Sequence, residues 1–177
     1  KEEAIPVVEE SNEEVAETEE KLAEVEPQTK EACEKFLKDV LKSMDMEVTL
    51  TLEIDVDGAL SITMEGENMG ILIGKRGQTL DSLQYLTNRV ANKMQEGYVR
   101  VKLDTENYRA RRKETLENLA KNIAHKVKRT KRAVSLEPMN PYERRIIHSA
   151  LQADKYISTH SEGEEPYRRV VVTLNRK

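Results

Sequence analysis

Apolar residues recur along the chain with a helical period in some stretches and an extended period in others. Spacings of three and four residues across 32–44 predict a helix. Apolar and polar residues then alternate in "VTLTLEIDV" (48–56) and again over 60–64, with Asp57-Gly58 between them, which predicts two strands joined by a hairpin turn. The first part of the chain therefore predicts one helix and an antiparallel pair of strands.

Two helices separated by a glycine-containing loop are expected next, followed by a third strand. A short helix is predicted over 68–73, ended by Gly74, and a longer helix begins after Gly77. The apolar residues expected on the buried side of that longer helix are Leu83, Leu86, Val90 and Met94. Alternation returns in "YVRVKLD" (98–104). Three strands with one apolar face each need helices packed on that face, which gives a two-layer sandwich.

The C-terminal part predicts a second unit of helix, strand, helix and hairpin. An apolar stripe runs along a long helix over 105–132, and "AVSLEP" (133–138) predicts a short strand. Asn140 and Pro141 are typical of the N-cap and first turn of a helix. The segment 156–174 predicts a terminal hairpin. The fold class is therefore α+β, as two successive α/β two-layer sandwiches.

Charge is divided unevenly along the chain. Residues 1–30 hold three lysines against eleven glutamates, a net charge of −8, whereas the whole chain carries −4, so the other 147 residues carry +4. Residues 100–132 alone hold twelve lysines and arginines against four acids. This division favours an acidic linker, or a helical segment, over 1–29 and a basic body that binds nucleic acid.

The stretch "GILIGKRGQTL" (70–80) places bare backbone and positive charge together. Gly74 and Gly77 allow a left-handed turn and close approach of a ligand, and Lys75 and Arg76 supply two cations. The free N–H groups at the start of the following helix favour an anion. The spacing does not fit a Walker loop. The glycines, the two cations and the helix start together predict contact with a chain of phosphates.

On these residues, 30–104 resemble a KH domain, with a helix-first order that resembles the type II arrangement. In that family a Gly-x-x-Gly loop clamps the backbone of about four nucleotides. The resemblance implies RNA contacts at the loop, Gly74 to Gly77, and an apolar groove wall for bases. Candidates for the wall are Ile71, Leu72 and Ile73, of which some must instead belong to the core.

The segment "MNPYERRIIHSALQ" (139–152) places Arg144 and His148 four residues apart, on one face of a helix. One interpretation is structural, a surface arginine beside a buried or capping histidine. However, residues 105–177 resemble an Arg-x3-His (R-3-H) domain, a single-stranded nucleic-acid-binding module. The resemblance implies that Arg144 and His148 mark its binding face, free of the core, with Arg145, Arg168 and Arg169 extending the patch.

A KH domain followed by an R-3-H domain, behind an acidic linker, resembles the bacterial Jag (SpoIIIJ-associated, KhpB) family. The resemblance implies a non-enzymatic RNA-binding protein, a post-transcriptional regulator, with single-stranded DNA left open as a ligand. The alternative is a protein-interaction adaptor linked to cell division, sporulation or a membrane insertase. A small stand-alone KH-domain protein and a second copy of the chain are the other implied partners. The family usually has a further small N-terminal domain, so an insertase bound through that domain is not carried over.

Other chemistry finds little support in the sequence. The three histidines and single cysteine do not form a cluster with metal-ligand spacing. His148 and Ser149 are adjacent, but neighbouring residues of a helix point about 100° apart, so they would not pair as base and nucleophile. We therefore expect no metal, no cofactor and no catalysis. No apolar run is long enough to span a bilayer, and we expect a cytoplasmic protein without membrane insertion. The basic run "YRARRK" (108–113) either solvates a helix end or contacts RNA, since few acids lie near it in the sequence.

Overall fold

The computed structural model describes residues 22–175. Most of the predicted acidic linker, 1–21, therefore lies outside the described residues. The remainder is attached to the first unit: the Ala23 N–H donates to the Tyr98 carbonyl (2.9 Å), and Val25 joins the core. The side-chain amide of Gln95 also donates to the Glu24 carbonyl (2.9 Å).

The first unit contains three helices and three strands in the predicted order. They are α1 (Pro27–Ser43), β1 (Val48–Ile54), β2 (Leu60–Gly66), α2 (Gly70–Ile73), α3 (Gln78–Met94) and β3 (Val101–Thr105). A single 3-10 turn, Lys75–Gly77, joins α2 to α3. This order agrees with a type II-like KH arrangement.

Strand β2 lies at the centre of the first sheet, antiparallel to β1 and parallel to β3. Its alternate residues Leu60, Ile62 and Met64 are fully buried, as the alternation predicted. Strand β1 is an edge strand that ends at Ile54, and the last two apolar residues of the alternation predicted over 48–56, Ile54 and Val56, are exposed. The first core is therefore centred on β2 and the helices that cover it.

Helix α3 buries the predicted face only in part. Leu83 is buried and Val90 packs against the core, as predicted, whereas Leu86 and Met94 are exposed and Leu80, Thr87 and Ala91 are buried instead. Both sets have helical spacing, so periodicity alone does not distinguish them. Thr87 tolerates burial because its hydroxyl donates to the Leu83 carbonyl at 2.8 Å.

The second unit consists of a long helix, a short helix and a small antiparallel sheet. Its elements are α4 (Tyr108–Thr130), β4 (Val134–Ser135), α5 (Pro141–Leu151), β5 (Ile157–Glu162) and β6 (Arg169–Leu174). The strand order is β4-β6-β5. As predicted, the Asn140 side chain caps α5 by accepting from the Glu143 N–H (2.8 Å).

Few residues separate the two units. Strand β3 ends at Thr105 and α4 begins at Tyr108, so Glu106 and Asn107 alone lie between them, both at positive φ. The second core packs the apolar stripe of α4, including Leu116 and Ala120, against α5 and the sheet. Within residues 22–175, none of the helices combines the length and apolarity needed to cross a bilayer.

Candidate nucleic-acid interface

The loop between α2 and α3 has an unusual backbone. Gly74 and Gly77 have φ values of 69° and 80°, and Arg76, a non-glycine residue, also lies in the left-handed region at φ 55°. Such a conformation is uncommon outside glycine, asparagine and aspartate. The three residues reverse the chain so that α3 starts directly after the loop.

Each glycine of the loop is required by a neighbouring side chain. A Cβ at Gly74 would collide with the hydroxyl of Thr79, and one at Gly77 would lie 2.7 Å from the ring of Tyr108, at the start of α4. The sequence suggested that Gly77 leaves room for a ligand. In the structure Gly77 is buried, and Tyr108 occupies that side.

Tyr108 therefore belongs to both units. Its ring packs against the first core, and its hydroxyl is buried without a hydrogen-bond partner among residues 22–175. Burial raises the pKa of Tyr108. The sequence offered no signal for this role, because Tyr108 lies 31 residues after Gly77 and is the first residue of the basic run 108–113.

The two cations of the loop have different surroundings. Lys75 is exposed, with no acid of the described residues within ion-pair distance. Arg76 is ion-paired with Glu137, which precedes α5, and donates to the Pro138 carbonyl at 3.4 Å. One cation of the loop is thus available to an anion, and the other is held by the second unit.

Asp81, in the first turn of α3, links three helices. Its carboxylate accepts from Arg109 of α4 (2.9 Å) and from the Asn140 side chain that caps α5 (3.2 Å). Together with the Gly77–Tyr108 and Arg76–Glu137 contacts, these bonds place the loop directly against the second unit.

The basic run 108–113 is largely engaged within the protein. Arg109 also donates to the Leu103 carbonyl and to Gln84, and Arg112 is paired with the buried Glu143 at 2.7 Å. The expectation that few acids neutralise this run is wrong, because Asp81 and Glu143 come from distant parts of the sequence. Its exposed cations are Arg111, paired with Glu106, and Lys113.

The apolar residues before the loop divide between core and surface. Leu72 is fully buried, Ile73 is half-buried and Ile71 is exposed. Leu72 is therefore the core member of the predicted groove wall. Ile71 and Ile73 are accessible to a base.

Arg144 does not face solvent. Its residue is only 8% exposed, its guanidinium donates to the Met139 carbonyl (2.7 Å), and it is ion-paired with Glu165 (2.5 Å). The expectation that Arg144 lies free of the core is wrong. The guanidinium instead joins the start of α5 to the turn between β5 and β6.

His148 lies one turn further along α5, half-buried against β5. Its Nδ1 and Nε2 atoms are hydrogen-bonded to the hydroxyls of Thr159 (2.7 Å) and Ser161 (2.9 Å). Burial, with the positive charge of Arg144 nearby, lowers the pKa of His148. The neutral ring thus uses both nitrogens within the protein.

The remaining predicted arginines are exposed and lie on different elements of the second unit. Arg145 of α5 lines a groove between α4 and α5, beside Tyr142 and Ser149. Arg168 and Arg169 lie at the start of β6, where Arg169 is paired with Glu162 (3.1 Å). No group of three metal-ligating residues occurs in the part of the chain described.

Two known domain families match the two units of the chain. Residues 30–103 match the family described as "KhpA/KhpB, KH domain", and residues 114–174 match the R-3-H domain family. The chain belongs to the KhpB family. The predicted family and fold class are thereby confirmed.

Several KhpB proteins are similar over most of this chain. The RNA-binding protein KhpB of Clostridium symbiosum is 63% identical over 144 residues, 81% of this chain and 65% of the relative. KhpB of Lactiplantibacillus plantarum is 36% identical over 82% of this chain and 46% of the relative. KhpB of Bacillus subtilis strain 168 is 46% identical over 63% of this chain and 54% of the relative. The chain thus spans between 46% and 65% of the length of these three KhpB relatives.

Proposed function

We propose that this chain binds single-stranded RNA without catalysing a reaction on it, as a cytoplasmic post-transcriptional regulator. The observation that carries the proposal is the exposed cation Lys75 at the tip of a Gly-x-x-Gly loop that leads into α3. Relatives that share both domains bear the name RNA-binding protein, which supports the same ligand.

The loop suits a phosphate for two reasons. Its backbone lies at the N-terminus of a helix of 17 residues, whose dipole favours an anion, and Lys75 adds a full positive charge. The half-buried Ile73 lies just before the loop, where it can contact a base. An extended strand can therefore contact charge and an apolar surface together.

In the second unit, we propose direct contact for the exposed Arg145, Arg168 and Arg169. Arg144 contributes by position, because it fixes the β5–β6 turn through Glu165, next to Arg168. His148 supports the same side by holding Thr159 and Ser161 of β5. The Arg-x3-His pair would then organise a binding face rather than supply its charge.

The proposal is tested by Lys75→Gln, with Lys93→Gln as the matched control. Lys93 is also exposed and lies at the opposite end of α3, about 25 Å away. Binding of a labelled single-stranded RNA is titrated at several salt concentrations, with DNA of the same sequence in parallel. Loss of one phosphate contact should lower the salt slope by about 0.7 for Lys75→Gln only. Equal affinity and slope in the two variants would contradict the role of the loop.

A second candidate function, a protein-interaction adaptor, is favoured by the outer face of α3. Tyr85 and Leu86 are adjacent there and both exposed, and Ile71 adds an exposed apolar residue on α2. A small KH-domain protein or a second copy of the chain would be the partner. Crosslinking of RNA in cells, followed by sequencing, separates the two functions: an adaptor recovers no RNA above background, whereas an RNA-binding protein does.

A further inference from the structure

A groove runs along the solvent side of the second unit, between α4 and α5. It consists of two adjoining concavities that share Ala150. The first, of about 340 Å³, lies beside Tyr142 and Arg145, and the second, of about 490 Å³, lies beside Lys121 and Tyr156. We call the two together the α4–α5 groove.

The α4–α5 groove begins where the loop of the first unit ends. A small cavity between the units is lined by Arg76 and Gly77 on one side and by Lys113 and Tyr142 on the other. Lys113 and Tyr142 also line the first concavity of the groove. The cavity at the Gly-x-x-Gly loop therefore adjoins the first concavity of the groove across Lys113 and Tyr142.

The charge of the groove suits a polyanion. Five cations line it against two acids: the cations are Lys113, Lys121, Lys128, Arg145 and Lys155, and the acids are Glu117 and Asp154. Within residues 22–175, Lys121, Arg145 and Lys155 have no acid within ion-pair distance. The lysines of α4 extend from residue 113 to residue 128, about 22 Å along the helix axis.

Two tyrosines stand at opposite ends of the groove. Tyr142 is 60% exposed and Tyr156 is 71% exposed. The ammonium of Lys128 lies 5.5 Å from the centre of the Tyr156 ring and is itself ion-paired with Asp154 at 2.6 Å. Exposed aromatic rings along a basic groove are the pattern on which successive bases of a single strand stack.

The floor between the tyrosines is built from small residues. Ser149, Ala150 and Ala153 of α5 and the following turn face the lysines of α4. Small side chains leave the groove open to a base or sugar. An acidic peptide would use the lysines, but it would leave both exposed tyrosine rings without a specific role.

We propose that the α4–α5 groove is a second track for single-stranded RNA, which continues the strand bound at the loop and ends at Tyr156. The track lies on the helical side of the second unit, whereas Arg144 and His148 face the β5–β6 side. The inference rests on the proposed function for its class of ligand, and Arg145 is the residue that it shares with the contacts proposed there.

The test compares Tyr156→Ala with Tyr98→Ala. Tyr98 is also exposed, and it lies before β3, beside the C-terminal half of α3 and at the opposite end of that helix from the loop, so it belongs to neither proposed RNA surface. Two labelled RNAs are titrated: one of about four nucleotides, enough for the loop alone, and one of about 12 nucleotides. Tyr156→Ala should lose roughly 5- to 150-fold in affinity for the longer RNA only, whereas Tyr98→Ala should bind both RNAs as the parent does.

Lys121→Gln provides an independent variant on the middle of α4, should Tyr156→Ala fail to fold. It should lower the salt slope for the longer RNA by about 0.7 and leave the shorter RNA unaffected. Lys75→Gln should lower the affinity for both RNAs. The hypothesis of binding at the loop and the hypothesis of binding in the groove therefore fail with different patterns of affinity. Parent-like binding of the longer RNA by folded Tyr156→Ala or Lys121→Gln would overturn the proposal.

Discussion

The guanidinium of Arg76 is ion-paired with the carboxylate of Glu137, so an acid of the second unit occupies a cation of the loop. A phosphate that binds Arg76 must compete with this carboxylate. Glu137 is exposed, and exposed ion pairs contribute only about 0–1 kcal/mol to stability. The pair is therefore weak enough for a polyanion to displace.

We expect Glu137→Gln to raise the affinity for single-stranded RNA and to leave the melting temperature nearly unchanged. The gain should be largest at low salt, because the competing charge is screened over about 8 Å at physiological ionic strength. Glu96→Gln is the control, since it makes the same charge change in the turn after α3, far from the loop. Equal gains in both variants would assign the effect to net charge instead of the Arg76 pair.

Gly77→Ala should destabilise the protein by roughly 1–3 kcal/mol. Its φ of 80° disfavours a side chain, and the new Cβ would meet the Tyr108 ring at 2.7 Å. Gly70→Ala is the matched change in the preceding helix, where a Cβ meets no atom within 4 Å, and it should be neutral or slightly stabilising. Denaturant unfolding measures both, and similar stabilities would contradict the packing described for Tyr108.

Arg144→Ala should cost about 1–3 kcal/mol, because it leaves the Met139 carbonyl without its donor and Glu165 without its partner. Chemical unfolding of Arg144→Ala, Glu165→Gln and the double variant gives their coupling energy. RNA affinity is measured where every variant is folded. A large loss of affinity with unchanged stability would instead make Arg144 a direct phosphate ligand.

Acidification should destabilise the protein through His148. Burial and Arg144 hold its pKa below the unfolded value of 6.5. The unfolded state therefore binds more protons in this range, so stability is complete above pH 6.5 and falls as the pH drops toward the folded pKa. His148→Gln should reduce the difference in melting temperature between about pH 7.5 and about pH 5.5. His125→Gln, on the exposed side of α4, is the control and should behave as the parent does.

The sequence predicted the features that depend on local pattern. The element order, the Asn140 cap and the buried face of β2 follow from periodicity and helix-capping chemistry. The buried face of α3 is predicted only in part: Leu83 and Val90 contact the core, but Leu86 and Met94 do not, because two overlapping sets of residues have helical spacing and only the position of the sheet selects between them.

The site was less predictable, because its contacts join distant residues. Glu137 lies 61 residues from Arg76, and Tyr108 reaches Gly77 from the next unit. The sequence also offered no sign of the partners of Arg144. Arg-x3-His spacing indicates that the two residues share a helix face, but it does not show whether the guanidinium is already bonded to a carbonyl and a carboxylate. A count of charged residues along the sequence therefore overestimates the number of cations that are free to bind a ligand.

The two-residue junction between β3 and α4 has a consequence for the choice of target. A flexible linker would let two modules bind nucleotides at many separations. Here Glu106 and Asn107 leave almost no slack, and Tyr108 is already packed beneath the loop. A strand that contacts both units must therefore match a fixed span. The protein would discriminate among RNAs first by the length of their accessible single-stranded segment and only then by base sequence.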